Sequence, residues 1–139
     1  IGGGDTGADC LGTATRQGAK SIHQFMIHQR PPDQRAESTP WPLWPVMYRE
    51  EPAHEENGKR EFAVATTSFS GDAEGNVRKL HGVRVGPAPR FEPVPGSEFE
   101  LDADLVLIAI GFAGVTRPGL IEKLGARLDA RGNIITNEH

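Results

Sequence analysis

The first ten residues, IGGGDTGADC, constrain the fold more than any other stretch of the chain. Gly2, Gly4 and Gly7 stand at the spacing G-x-G-x-x-G, the pattern of a tight turn that leaves a strand and enters a helix. Each glycine has its own physical reason. Gly2 permits the turn. Gly4 has no Cβ, so a pyrophosphate can approach the backbone. Gly7 lets the helix lie close to a sheet. A helix that begins here presents free N–H groups and the positive end of its dipole to an anion. Ile1 is the only residue ahead of the turn, so the reading is of a nucleotide-binding unit truncated at its first strand, a piece of a longer protein.

The segments that follow supply the context this turn requires. Asp5 to about Gln17 reads as a helix, with Ala8, Leu11, Ala14 and Thr15 at helical spacing and small enough to pack closely. Asp5 is expected to be its N-cap, and the Thr6 hydroxyl is available to a phosphate oxygen or to the cap. Gly18 reads as the stop. Cys10 falls on the face that packs on the sheet and reads as a buried structural thiol. Ser21 to Ile27 reads as a strand, which completes the first half of a βαβ unit.

Arg30 to Pro45 carries five prolines and therefore reads as an extended loop, with Trp41 and Trp44 expected to pack against the domain as anchors. Glu50 to Glu61 is charged and turns at Asn57-Gly58. Glu61 to Gly71 and Val77 to Val85 read as a hairpin joined by GDAEGN. Gly86 to Gly96 is a proline-rich connection. A short strand is expected at Glu98 to Leu101. Leu105 to Ile110 is apolar on both faces and reads as a buried central parallel strand. Beyond Gly111 the pattern weakens to a short helix from Pro118 to Leu124 and a hairpin within RLDARGNIITN, turning at Ala130 to Asn133. The fold class expected is α/β, a Rossmann-like nucleotide-binding domain: a parallel sheet with helices plus an antiparallel β-meander, truncated at the first strand. The unpaired position beside the second strand is expected to lower stability and favour aggregation.

Composition excludes several function classes. A single cysteine rules out an internal disulfide framework, a cysteine zinc site, a thiol–disulfide centre and an iron–sulfur cluster ligated wholly by this chain. The net charge of -4 argues against a nucleic-acid partner. The longest apolar run, LVLIAIGFAGV, is too short to span a membrane, and no signal peptide is visible, so a cytoplasmic protein is expected. His23, His28, His54, His81 and His139 lack metal-ligand spacing; HEE at His54 is not H-E-x-x-H. No G-x-S-x-G elbow accompanies the serines near Asp72. No catalytic acid, base or metal is assigned. Hydride transfer between two cofactors needs none, because the protein has only to hold one ring against the other.

The residues after the turn bear on which dinucleotide fits. NAD and FAD sites place an Asp or Glu at the end of the second strand for the ribose hydroxyl. No acid occurs from Cys10 to Pro32, whereas Arg16, Lys20, His28 and Arg30 do. An acid there would repel a 2′-phosphate, and a guanidinium can bind one through paired hydrogen bonds. NADPH is therefore expected over NADH or FAD, with Arg30 on the 2′-phosphate and His28 assisting; each is alternatively a solvated loop charge.

GGGDTGADCLGTATRQGAKSIHQF, followed by RPP, PWPLWP, AHEENGKREFAV and ADLVLIAIGF, resembles the NADPH-binding domain of the small (beta) subunit of bacterial glutamate synthase, within the pyridine nucleotide-disulfide oxidoreductase-like superfamily. The resemblance runs from Ile1 to about Asn133. A generic Rossmann protein would not carry the tryptophan loop and the HEE-N-G-K-R-E segment in this order. It implies that a hydride passes from NADPH to FAD. Electrons then travel through iron–sulfur clusters to a large subunit that makes glutamate from glutamine and 2-oxoglutarate. It implies that residues 1–112 are the NAD(P)H-binding domain and residues 113–139 the start of a return toward the FAD domain. By position, Gly3, Gly4, Asp5 and Thr6 would meet the phosphates and Arg30 the 2′-phosphate. Ala109, Ile110 and Gly111 would lie near the nicotinamide. FAD and the clusters would belong to the full-length protein and not to this piece. Two alternatives stay open: a related ferredoxin–NADP-type or dihydropyrimidine dehydrogenase-like reductase, and a Rossmann-like module that binds a partner protein and no nucleotide.

Overall fold

A computed structural model describes residues 1–116 and 118–136. Helix α1 (Asp5–Arg16) opens the chain, followed by β1 (His23–Met26), α2 (Pro52–Glu56) and β2 (Lys59–Phe62). Strands β3 (Val64–Gly71), β4 (Val77–Arg84) and β5 (Phe99–Asp102) come next, then α3 (Leu120–Lys123). The strands form two sheets. β1 and β2 are parallel, with Phe25 opposite Glu61; β3, β4 and β5 form an antiparallel meander in that order. The class is α/β, as the sequence indicates.

α1 buries Gly7, Ala8, Leu11 and Gly12, one stripe of mostly small residues. Asp5 in its first turn and Arg16 in its last both suit the helix dipole. Gly18 ends it in the left-handed region at φ 81°, where glycine carries no Cβ penalty. The small face also lets α2 close in. A Cβ on Gly12 would lie 3.0 Å from the Ala53 Cβ, and Arg16 Nη1 reaches Glu56 Oε1 at 2.6 Å.

The expected strand from Glu61 to Gly71 is in fact two strands in two sheets. Ala63 separates them with φ 56°, a left-handed backbone that no periodicity argument reveals. Its N–H donates to His28 O at 2.9 Å in the first sheet, and its carbonyl accepts from Val85 N–H at 2.9 Å in the second. Across this joint Phe25, Val64 and Leu80 form the core, with Ile1, Phe99, Leu101 and Ala103 packed on it. Phe25 and Phe99 meet edge-on at 5.7 Å. Glu61 of β2 is ion-paired to Lys59 at 3.2 Å and to Arg84 of β4, which ties the sheets at the surface. Burial alone would raise its carboxyl; the hydrogen bonds and charges of Lys59 and Arg84 outweigh that and hold it below the usual range.

Three further expectations are corrected by burial. Residues 105–110 are not a buried strand. Leu105 is 70% exposed and Ile110 72%. Among the described residues the only backbone paired with the segment is Ile1, whose ammonium donates to Leu107 O at 2.6 Å and whose carbonyl accepts from Ala109 N–H at 2.7 Å. One residue cannot make a ladder, and Leu105, Leu107, Ile108 and Ile110 are left exposed. Trp41 and Trp44 do not anchor the proline loop; they are 82% and 77% exposed. The loop is held by its own backbone instead, through Ala36 N–H to Val46 O at 2.9 Å and Tyr48 N–H to Pro32 O at 2.7 Å. Cys10 is half-buried and not fully enclosed.

The expected helix after Pro118 forms as α3. A turn closes at Asp129–Asn133, where Leu128 bridges Ile134. The Asp129 carboxylate accepts from Arg131 and Asn133 N–H. The last residue of the expected RLDARGNIITN hairpin, at position 137, lies outside the described residues. Among the described residues no helix is long and apolar enough to cross a membrane.

Candidate functional site

The glycine turn is wedged between two extended segments. On one side Gly2 N–H donates to Phe25 O of β1 at 2.8 Å; on the other lie Leu107 and Ala109. Gly2 has φ 122°, and a Cβ there would collide with the Ala109 carbonyl oxygen. A Cβ on Gly3 would collide with the Met26 side chain, and one on Gly7 with the Gly2 carbonyl oxygen. Gly7 thus brings α1 close to the turn, as its spacing suggests. Gly4 differs from all three. A Cβ there meets none of the described residues within 4 Å. The space in front of Gly4 is open, which is what close approach of an anion requires.

Gly4, and not Asp5, is the N-cap of α1, and no side chain among the described residues caps the helix. The expectation for Asp5 is corrected: it sits one residue inside, in the first turn, because Gly4 already supplies the extended residue (φ -87°, ψ -174°) that precedes the helix. The first-turn N–H groups of a helix have no intrahelical partner, so this end offers uncapped donors beside the open face of Gly4. Gly3, Gly4, Asp5 and Thr6 are all exposed there.

A polar chain not foreseen from the sequence fixes the turn from behind. Gln24 of β1 is only 4% exposed. Its Nε2 donates to Gly2 O at 3.0 Å, and its Oε1 lies 3.1 Å from His54 Nε2. His54 Nδ1 accepts from Glu51 N–H at 3.0 Å. Since Nδ1 accepts, Nε2 carries the proton and donates to Gln24, so the imidazole is neutral. Burial first, then the Arg60 charge, holds the His54 pKa below its ordinary value. The HEE motif therefore caps α2 and braces the glycine turn. Among the described residues no three His, Cys, Asp or Glu side chains converge as metal ligands; His139 lies outside them.

The remaining site residues divide by location. Ala109 touches Gly2, and Ile110 and Gly111 follow it, exposed, at the edge of the turn. His28 and Arg30 follow the end of β1. The His28 ring packs edge-on against Phe91 at 5.1 Å. The Arg30 guanidinium lies 4.0 Å from the centre of the Tyr48 ring and pairs with Asp33 at 2.6 Å. The two side chains thus have different partners. Tyr48, Asp33 and Arg60 escaped the sequence reading because their role depends on how the proline loop folds back. A cavity of about 470 Å³ lies behind the turn, between α1, the start of β1 and residues 101–109, lined mostly by apolar side chains. It meets the turn only at Ile1, Gly2 and Gly7, not at the open face of Gly4.

No family model matches the chain. Over 135 residues, 96% of its length, the chain is 56% identical to the glutamate synthase [NADPH] small chain of Mycobacterium tuberculosis. It is 39% identical over 137 residues to the protein of the same name in Bacillus subtilis. It is 38% identical over 148 residues to glutamate synthase [NADH] of Schizosaccharomyces pombe. These matches cover 28%, 28% and 7% of those proteins. The likeness to the glutamate synthase small chain thus extends over nearly all of this chain, which spans 28% of the length of the small chains it matches.

Proposed function

We propose, from its likeness to one segment of the glutamate synthase small chain, that this chain is the NADPH-binding part of such an oxidoreductase. Residues 1–112 form a Rossmann-like dinucleotide-binding unit, and residues 113–139 begin the return toward a flavin domain. The observation that carries the reading is the uncapped start of α1 beside the open face of Gly4. Two further features support it. Ile1 bonds Leu107 and Ala109, residues two apart, which is the parallel pattern. The order β2, β1, Ile1, residues 107–109 is that of one half of a doubly wound sheet, whose ligands sit at the carboxyl ends of the strands.

In this reading the Gly3 to Thr6 backbone and the Thr6 hydroxyl hold the pyrophosphate, and Arg30 holds the 2′-phosphate. Met26, buried against Gly3, stands where a ribose-binding acid would point. Residues Ala109 to Gly111 border the nicotinamide, and Ile110 and Gly111 leave its face open to a second cofactor. NADPH bound here would be the hydride donor, and a flavin and iron–sulfur clusters held by other segments would supply the electron-transfer chemistry toward a large subunit that forms glutamate. The names of the relatives divide between NADPH and NADH, so the choice of nucleotide rests on Arg30 and on the lack of an acid from Cys10 to Pro32.

Calorimetric titration with NADPH and NADH tests this. NADPH is expected to bind more tightly by about tenfold or more, from a charge-assisted contact of about 1.5–3 kcal/mol, and Arg30→Ala is expected to erase the difference. Equal binding of the two would move specificity away from Arg30. Binding of neither would favour a module that recognises a protein partner.

A further inference from the structure

Arg30 is held on two sides. Its guanidinium stacks on Tyr48 at 4.0 Å, and Nη2 donates to Asp33 Oδ1 at 2.6 Å. Tyr48 is itself fixed. Its N–H donates to Pro32 O, and its hydroxyl accepts from Arg60 Nη1 at 3.0 Å and lies 3.5 Å from Glu50 Oε1. The Arg60 guanidinium also lies 4.9 Å from the centre of the same ring. Arg60 Nε is buried with no hydrogen-bond partner among the described residues. One aromatic ring therefore gathers two permanent cations in a chain whose net charge is -4. The stacking fixes where the Arg30 fork points; the Asp33 pair neutralises it.

The two holds differ in permanence. Tyr48 is half-buried and braced by backbone and by Arg60. The Asp33 side chain is 75% exposed, and its bond to Arg30 spans only three residues of loop. Such a solvated pair contributes little to stability and exchanges readily. A phosphate monoester carries more charge than a carboxylate and three acceptor oxygens, so it competes well for a guanidinium.

We propose that Asp33 is a resident counter-ion on Arg30 that the 2′-phosphate of a dinucleotide displaces while Tyr48 keeps the guanidinium in place. Asp33 thereby sets how strongly the site prefers phosphorylated ribose. This rests on the nucleotide-binding reading above. Asp33 and Tyr48 are positioning residues; Arg30 alone meets the phosphate.

The test is calorimetric titration of the chain and its variants with adenosine 2′,5′-bisphosphate and with adenosine 5′-monophosphate. Asp33→Asn is expected to tighten the bisphosphate by about three- to tenfold, the scale of one exposed ion pair plus relief of repulsion, and to leave the monophosphate within about twofold. Tyr48→Leu is expected to weaken only the bisphosphate, and Tyr48→Phe, which keeps the ring face, to restore most of it. If Asp33→Asn tightens both probes alike, or neither, while Arg30→Ala still abolishes the preference, the counter-ion role is overturned and the nucleotide reading stands. If the chain binds neither probe, both fall together.

Discussion

At the scale of single residues, the four glycines of the turn separate folding from function. Gly2, Gly3 and Gly7 have neighbours that a Cβ would strike; Gly4 has none. Gly4 also has an extended backbone that any residue adopts. Gly4→Val is therefore expected to meet no steric clash and to cost only the N-cap preference for glycine, about 1 kcal/mol. It is expected to weaken NADPH binding at least about tenfold, since a branched side chain would stand where the pyrophosphate must approach. Thermal melts and titration of the same preparation check both halves. The His54 brace gives a second expectation, with a definite sign. Its folded-state pKa is lowered, so the unfolded chain takes up the proton more readily. The stability it contributes is present above the unfolded value of about 6.5 and is lost as pH falls through the folded value. Melts between pH 7.5 and 5 should show that loss in the parent and a flatter profile in His54→Ala. Gln24→Leu, which leaves Gly2 O and the His54 Nε2 proton without their buried partner, should cost about 1–3 kcal/mol.

At the scale of elements, the joint between the sheets is the point most open to test. Ala63 holds a left-handed backbone that costs a β-branched residue more than it costs alanine. Ala63→Val is expected to lose about 1–2 kcal/mol, whereas Ala63→Gly should stay within about 1 kcal/mol of the parent. Denaturant unfolding measures both, and equal losses would show that side-chain contacts and not backbone strain decide the position. The elements legible in the sequence were those whose signal is local. The spacing of Ala8, Leu11 and Ala14 gave α1, and GDAEGN gave the β3–β4 hairpin. Ala63 was not legible, because alanine between EF and VATT reads as ordinary strand. Leu105 to Ile110 was misread because apolar composition says what a segment can bury, not whether a neighbour covers it. Trp41 and Trp44 failed for the same reason.

At the scale of the whole molecule, the parallel pair, the glycine turn and the extended segment at residues 107–109 lie side by side, and the proline loop brings Tyr48 and Asp33 to Arg30 after β1. The glycine turn could be read from spacing; the phosphate role of Arg30 is a proposal from charge. The Gln24–His54 brace and the Tyr48 platform could not be read, since they join residues 12 to 30 positions apart. Dinucleotide phosphates are proposed to bind at the start of α1. Backbone amide chemical shifts recorded during titration with NADPH test it most directly. The largest changes are expected at Gly3 to Gly7, with a second set at Arg30 and Tyr48. Changes centred instead on the apolar cavity behind the turn, or none at the helix start at saturating NADPH, would contradict it.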